Sequence, residues 1–308
     1  MKKLLSLALF FFSVTAWTQE ENTLDSTGLP GDHFSLEIAL DLFSKSESIE
    51  DFEKKLNEES NHANNLDING DGEIDYIRVI DQVDGNDHAL TLEVPVSETE
   101  SQDIAVIEIE KNGEESAQLQ IVGDEDLYGE EKYVEPTDEK ASGGKGGPFV
   151  SLETSGIVIN VWFWPGVRFI YGPAYRPWIS PWRWHHYPGY WKPWRPYGWR
   201  AHYGYCRPFH TRYHVVTIHR CTRAHAVYKS KRVTSVTVHN RYKDAHVRHK
   251  ERTGGQSWVK AKGKSEKVSG EKRRGKSTGP AKKKSDSPKP AKTARTKGGG
   301  SKGGGKRK

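Results

Sequence analysis

The chain is segregated by charge. Residues 20–140 hold 35 Asp/Glu against 7 Lys/Arg, a net of −28. Residues 141–308 hold 38 Lys/Arg against 6 Asp/Glu, a net of +32. The 308-residue chain shows only +6 because the two halves cancel. Such asymmetry marks an interaction segment rather than one uniform surface. Hydrophobic residues make up 34% of the chain, below the roughly 45–50% usual for globular proteins on a count that includes glycine. This composition speaks against a single large enzyme and for one small core with much non-globular sequence.

The N-terminus reads Met1-Lys2-Lys3, an apolar run over residues 4–14, then Val14-Thr15-Ala16. A basic start, a short apolar stretch and small residues at a cleavage point predict a secretory signal peptide over residues 1–18. A run of about 11 residues is too short for a spanning helix, which needs about 20. The expected product is exported, periplasmic or extracellular, with association at the outer membrane and no transmembrane span. In an oxidising compartment the only two cysteines, Cys206 and Cys221, predict one disulfide.

Residues 31–137 predict an acidic α+β domain. Leu36, Ala39, Leu40 and Phe43 form an amphipathic helical stripe. Ser48, with Asp51 three residues on, predicts an N-cap for a second helix whose Ile49, Phe52 and Leu56 share a face. Strands follow at 74–83, 90–96, 105–110 and 117–121, with a hairpin tip at Asp84-Gly85-Asn86-Asp87. Alternation such as Leu90-Thr91-Leu92-Glu93-Val94 predicts one buried and one wet face. The expected fold is a small antiparallel meander of about four strands with about two helices on one face. An aromatic, Pro-rich irregular segment and a disordered basic tail follow.

Residues 67–75 spell Asp67-Ile68-Asn69-Gly70-Asp71-Gly72-Glu73-Ile74-Asp75. Hard cations take oxygen ligands, and Ca²⁺ takes six to eight. Asp67, Asn69, Asp71, the Glu73 carbonyl and Asp75 supply them, while Gly72 permits the sharp turn. The stretch resembles the calcium loops of the EF-hand and dockerin families, and more closely the loops of FG-GAP/integrin-type repeats. It departs from the EF-hand at position 12, where Arg78 replaces a bidentate Glu. The resemblance implies structural Ca²⁺ clamping and covers nine residues. The 31–137 region also resembles a group of exported bacterial proteins of unknown role. Without metal, the same residues suit a hairpin held by Asx-turns. Asp84, Asp87 and Asp124-Glu125-Asp126 lack this spacing and are expected in solvated loops.

A Gly-rich linker is expected at 138–148. Beyond it, residues 149–213 carry eight of the ten Trp, interleaved with Pro and Arg. The strings at 157–164 and 167–171 predict a hairpin around Pro165-Gly166. Repeated Pro then excludes regular structure. Trp182, Trp184, Trp191, Trp194, Arg195 and Trp199 are candidate binding residues for a glycan, or else pack on one another and on the strands. Residues 214–258 are basic and His-rich without a recognisable metal spacing. Residues 259–308 hold 19 Lys/Arg and 3 acids, a disordered tail by composition. It resembles the lysine-rich tails of linker histones. For an exported chain the available polyanions are envelope polysaccharide, anionic lipid, extracellular DNA or the chain's own acidic half. No zinc-protease motif occurs, and the strings G-x-S-x-G (at 275–279 and 299–303) and G-x-x-x-x-G-K-S (at 270–277) fall only in the lysine-rich tail, whose composition predicts none of the strand-to-helix context that such motifs need. The expectation is a non-catalytic binding or structural protein, or alternatively a carbohydrate-binding or adhesive module.

Overall fold

The computed structural model describes residues 26–137 and 158–254, which all fall within one compact unit. The stretches expected as signal peptide (1–18), Gly-rich linker (138–148) and disordered tail (259–308) lie outside the described residues.

Two short helices open the fold. Ser35 accepts the Ile38 amide and caps α1 (Leu36–Ser44), and Ser48 accepts the Asp51 amide and caps α2 (Ile49–Leu56). Each such cap satisfies an otherwise orphaned amide. The sheet is antiparallel and its strand order follows the chain: β1 (Arg78–Asp84), β2 (Asp87–Pro95), β3 (Ser101–Gly113), β4 (Ser116–Gly123), β5 (Lys132–Pro136) and β6 (Tyr213–Val216). Asp84 pairs with Asp87 across the tip, where Gly85 adopts φ 59°. The expected meander therefore gains two strands. β5 is short, and its partner β6 arrives from the basic half, pairing Tyr133 with Val216 and Val134 with Val215.

One face of the sheet carries Leu90, Leu92, Ile107, Ile109, Leu119 and Ile121 and packs against α1 and α2 in the main core. The other face carries Thr91, Glu93, Glu108, Glu110 and Gln120, the residues read as facing water. They are buried, with Glu108 and Gln120 at 0% exposure. The polar face is covered rather than wet, because a cationic stretch from the second half lies across it. That stretch includes α6 (Thr222–Lys229), whose Tyr228 joins Ala89, Val106 and Val122 in a small second core.

The aromatic segment is also part of this body. The hairpin expected around Pro165-Gly166 is instead α4 (Pro165–Ile170). Proline is pre-organised for a first helical position, and Val167 and Ile170 bury in the main core beside Phe43. Residues 171–198 stay irregular. Val79 and Asp81 of β1 bond to Ser180 and Trp178, with an isolated bridge from Ile80 to Ile179. Thus both edges of the acidic half's five strands are covered by the second half: β1 by residues 178–180 and β5 by β6. Helices α3 (Glu125–Tyr128), α5 (Trp199–Cys206) and α7 (Val236–Arg252) complete the described α-helices. None of the described helices is long and apolar enough to cross a membrane.

Candidate functional site

The loop at 67–75 is closed by its own amides. Asp67 Oδ1 accepts from the Gly70 and Asp71 amides at 2.7 and 3.1 Å, and Oδ2 accepts from Gly72 at 2.9 Å. Asp71 Oδ1 accepts from Glu73, and Asp75 Oδ2 from Ile68 at 2.6 Å. Gly70 and Gly72 take φ 74° and 88°, which side-chain-bearing residues rarely adopt. Burial, with Asp67 and Asp71 nearby, pushes the Asp75 carboxyl up to about 7 against the donations of Ile68 and Asn69. Asn69 Nδ2 donates to both Asp71 (3.0 Å) and Asp75 (2.8 Å), standing between two carboxylates as a partial positive charge. The donor set fits a hard cation in kind. Its oxygens come from Asp67, Asn69, Asp71 and Asp75, and each carboxylate keeps lone pairs beyond those its amide donors occupy. Asp71 and Glu73 are exposed, so the loop is open to solvent.

The aromatic candidates do not form one platform. Trp191 is buried, edge-on to Tyr76 and Tyr187 at 5.1 and 4.8 Å. Trp194 accepts the Ile74 amide on its carbonyl, and Trp182 accepts Arg78 in the same way. Trp199 stacks on Tyr203, Trp184 meets His185, and Arg195 is exposed. Trp178, which sequence reasoning did not single out, donates its indole N–H to Glu53.

The expected disulfide is absent: Cys206 and Cys221 are both free and buried. Cys206 packs in the main core, whereas Cys221 lies on the other face beside Glu108, Glu110 and Gln120, so the sheet separates them. Cys206 Sγ sits 3.6 Å from His202 Nε2. Burial raises this thiol to about 11 and lowers the imidazole to about 4. A protonated thiol beside a neutral imidazole is a packed pair, not an activated nucleophile.

The densest polar chemistry lies along the seam between the halves. Arg223 pairs with Asp87 and Glu110, Arg220 with Glu135, Arg212 with Asp41 and Lys229 with Glu131. Arg232 reaches Asp124 at 2.6 Å and Asp126 at 2.8 Å. Asp87 and Asp124, expected in solvated loops, are therefore ion-paired, and Asp124 is also buried and caps α3. Among the described residues, one trio of His, Cys, Asp or Glu side chains converges closely enough to share a metal ion: Glu108, His219 and His225. The two histidines lie in a region the sequence flagged only by density. The glutamate comes from β3, more than a hundred residues earlier, so no local spacing announces it.

No protein-family model, no curated protein and no solved structure matches the chain.

Proposed function

We propose that this is an exported, non-catalytic binding or structural protein. Its basic, aromatic half associates with envelope or extracellular polyanions, and its acidic half is clamped by structural Ca²⁺ through Asp67, Asn69, Asp71, Glu73 and Asp75. The observation that carries the polyanion reading is α7. It buries only Val238 and Ala245 and leaves Arg241, Lys243, Arg248 and Lys250 exposed. In sequence it runs directly into the lysine-rich residues 259–308.

The experiment is binding of the mature protein to a sulfated polysaccharide, anionic vesicles and duplex DNA at rising NaCl. A form ending at residue 258 is measured in parallel. Full-length protein is expected to lose on the order of 10³-fold in affinity between 50 and 200 mM salt if it engages about six phosphates. The shortened form should already be weak at low salt. Salt-insensitive binding that Trp194→Ala abolishes would favour a glycan ligand instead, a reading supported by the partly accessible Trp182, Trp184, Trp194 and Trp199. For the loop, millimolar Ca²⁺ should raise the melting temperature of the full chain and leave that of Asp71→Ala unchanged. Equal melting of the unmutated chain in Ca²⁺ and in chelator removes the calcium assignment.

A further inference from the structure

Glu108 projects from the middle of β3 with 0% of its surface exposed. An ionised carboxylate buried so completely needs compensating partners. It has two imidazoles: His219 Nε2 lies 2.7 Å from Oε2 and His225 Nδ1 lies 2.6 Å from Oε1. The ring planes stand at 88° with centroids 4.3 Å apart. All three ligand atoms fall within 4.8 Å of one another.

We propose that Glu108, His219 and His225 form a binding site for a zinc-class divalent cation, which pins the basic strap to the sheet. Two imidazole nitrogens and one carboxylate suit Zn²⁺ and its first-row neighbours, whereas Ca²⁺ wants six to eight oxygens. Zinc ligands at about 2.0–2.2 Å in a tetrahedron stand about 3.3 Å apart. Insertion therefore opens each present hydrogen bond by about 0.6 Å, with water taking the fourth position. The surroundings supply the outer support such sites use. Glu131 Oε1 stands 3.6 Å behind His225 Nε2, on the nitrogen that would not face the metal. Glu131 is itself held by Tyr133 Oη and Lys229 Nζ, each at 2.5 Å. The Tyr133 ring stacks on His219 at 4.7 Å. The histidine side chains keep 17% and 16% of their surface exposed, which leaves a path to solvent. Cys221 lies between the two histidines in sequence and is buried near Glu108, yet its thiol is not one of the converging ligand atoms.

The test uses full-length, untagged protein stripped with chelator. Zn²⁺ is titrated in competition with a chromophoric chelator, and Co²⁺ serves as the spectroscopic probe. One equivalent should bind, with Co²⁺ giving the intense visible absorption of a four-coordinate site. His219→Ala and His225→Ala should each weaken binding on the order of 100-fold, and Glu131→Gln about 10-fold. Asp71→Ala should change nothing, which separates this site from the 67–75 loop. Because seam substitutions can destabilise the chain, the unmutated protein is also footprinted with diethyl pyrocarbonate. All 13 histidines lie among the described residues, and Zn²⁺ should selectively protect His219 and His225. No uptake by the unmutated protein at about 100 µM Zn²⁺, or protection falling on other histidines instead, overturns the site.

Discussion

Asp103 and Glu53 show how differently one fold can bury a carboxylate. Glu53 accepts from Tyr76 Oη and Ser180 Oγ on one oxygen and from the Val79 amide and Trp178 indole on the other. Four donors from two stretches of chain make it a polar knot that ties α2, β1 and the aromatic segment together. Asp103 accepts the Val233 amide on Oδ2 at 2.8 Å, but its Oδ1 has no partner among the described residues. Burial pushes its carboxyl up to about 8, with Glu93 and Asp124 adding repulsion and Arg232 opposing them. The raised value means that the folded chain holds a proton the unfolded chain releases near 3.8. This group's contribution to stability is therefore full below about pH 4 and is lost as pH rises towards 8. Asp103→Asn should flatten the fall in stability between pH 5 and 8. At pH 8 it should gain on the order of 1 kcal/mol over the parent, measured by urea unfolding at several pH values. An unchanged pH slope would show that Asp103 titrates near its ordinary value.

Among the elements, those built from local pattern were legible. The stripe of Leu36, Ala39, Leu40 and Phe43 and the Ser48 cap gave α1 and α2, and alternation gave β1 to β4. Ile74 to Ile77 read as strand but lies outside β1, because the Ile74 and Ile77 amides bond to the Trp194 carbonyl and the Asn57 side chain instead. β6 was not legible: four residues carry too little pattern, and their partner lies some 80 positions away. The edges matter because an unpaired strand edge is a template for aggregation. Asp81 donates to the Trp178 carbonyl, and Ser180 donates to the Val79 carbonyl at 3.1 Å. Ser180→Pro removes that donor and the hydroxyl bond to Glu53. It should cost about 2 kcal/mol and speed hydrogen exchange at the Asp81 amide, read by NMR. Unaltered exchange there would mean the strap does not hold the β1 edge.

At the scale of the molecule, the acidic half is complete only with its basic half. Without residues 158–254, Glu108, Glu110, Asp124 and Glu135 lose the cations and imidazoles that face them, and both sheet edges open. Removing one partner of a buried pair costs about 3–5 kcal/mol, and a domain's whole stability is about 5–15 kcal/mol. A fragment of residues 26–137 should therefore lack a cooperative melt and aggregate on size-exclusion chromatography. A 26–254 chain should melt cooperatively and stay monodisperse. A soluble, cooperatively melting short fragment would show the seam to be dispensable.

The amino-acid sequence by itself determined whatever depends on neighbours along the chain: two capped helices, four alternating strands, the hairpin tip at Gly85 and the ligand-like spacing of residues 67–75. It also carried the charge segregation. Only the tertiary structure decided what that segregation is for within the fold. Alternation shows that Glu108 and Gln120 oppose Ile107 and Ile121, but it cannot say whether the polar face meets water or a cationic strap. The answer depends on contacts across more than a hundred residues. Contacts of the same long range set Cys206 and Cys221, near neighbours in sequence, on opposite sides of one sheet and bring His219 and His225 onto Glu108.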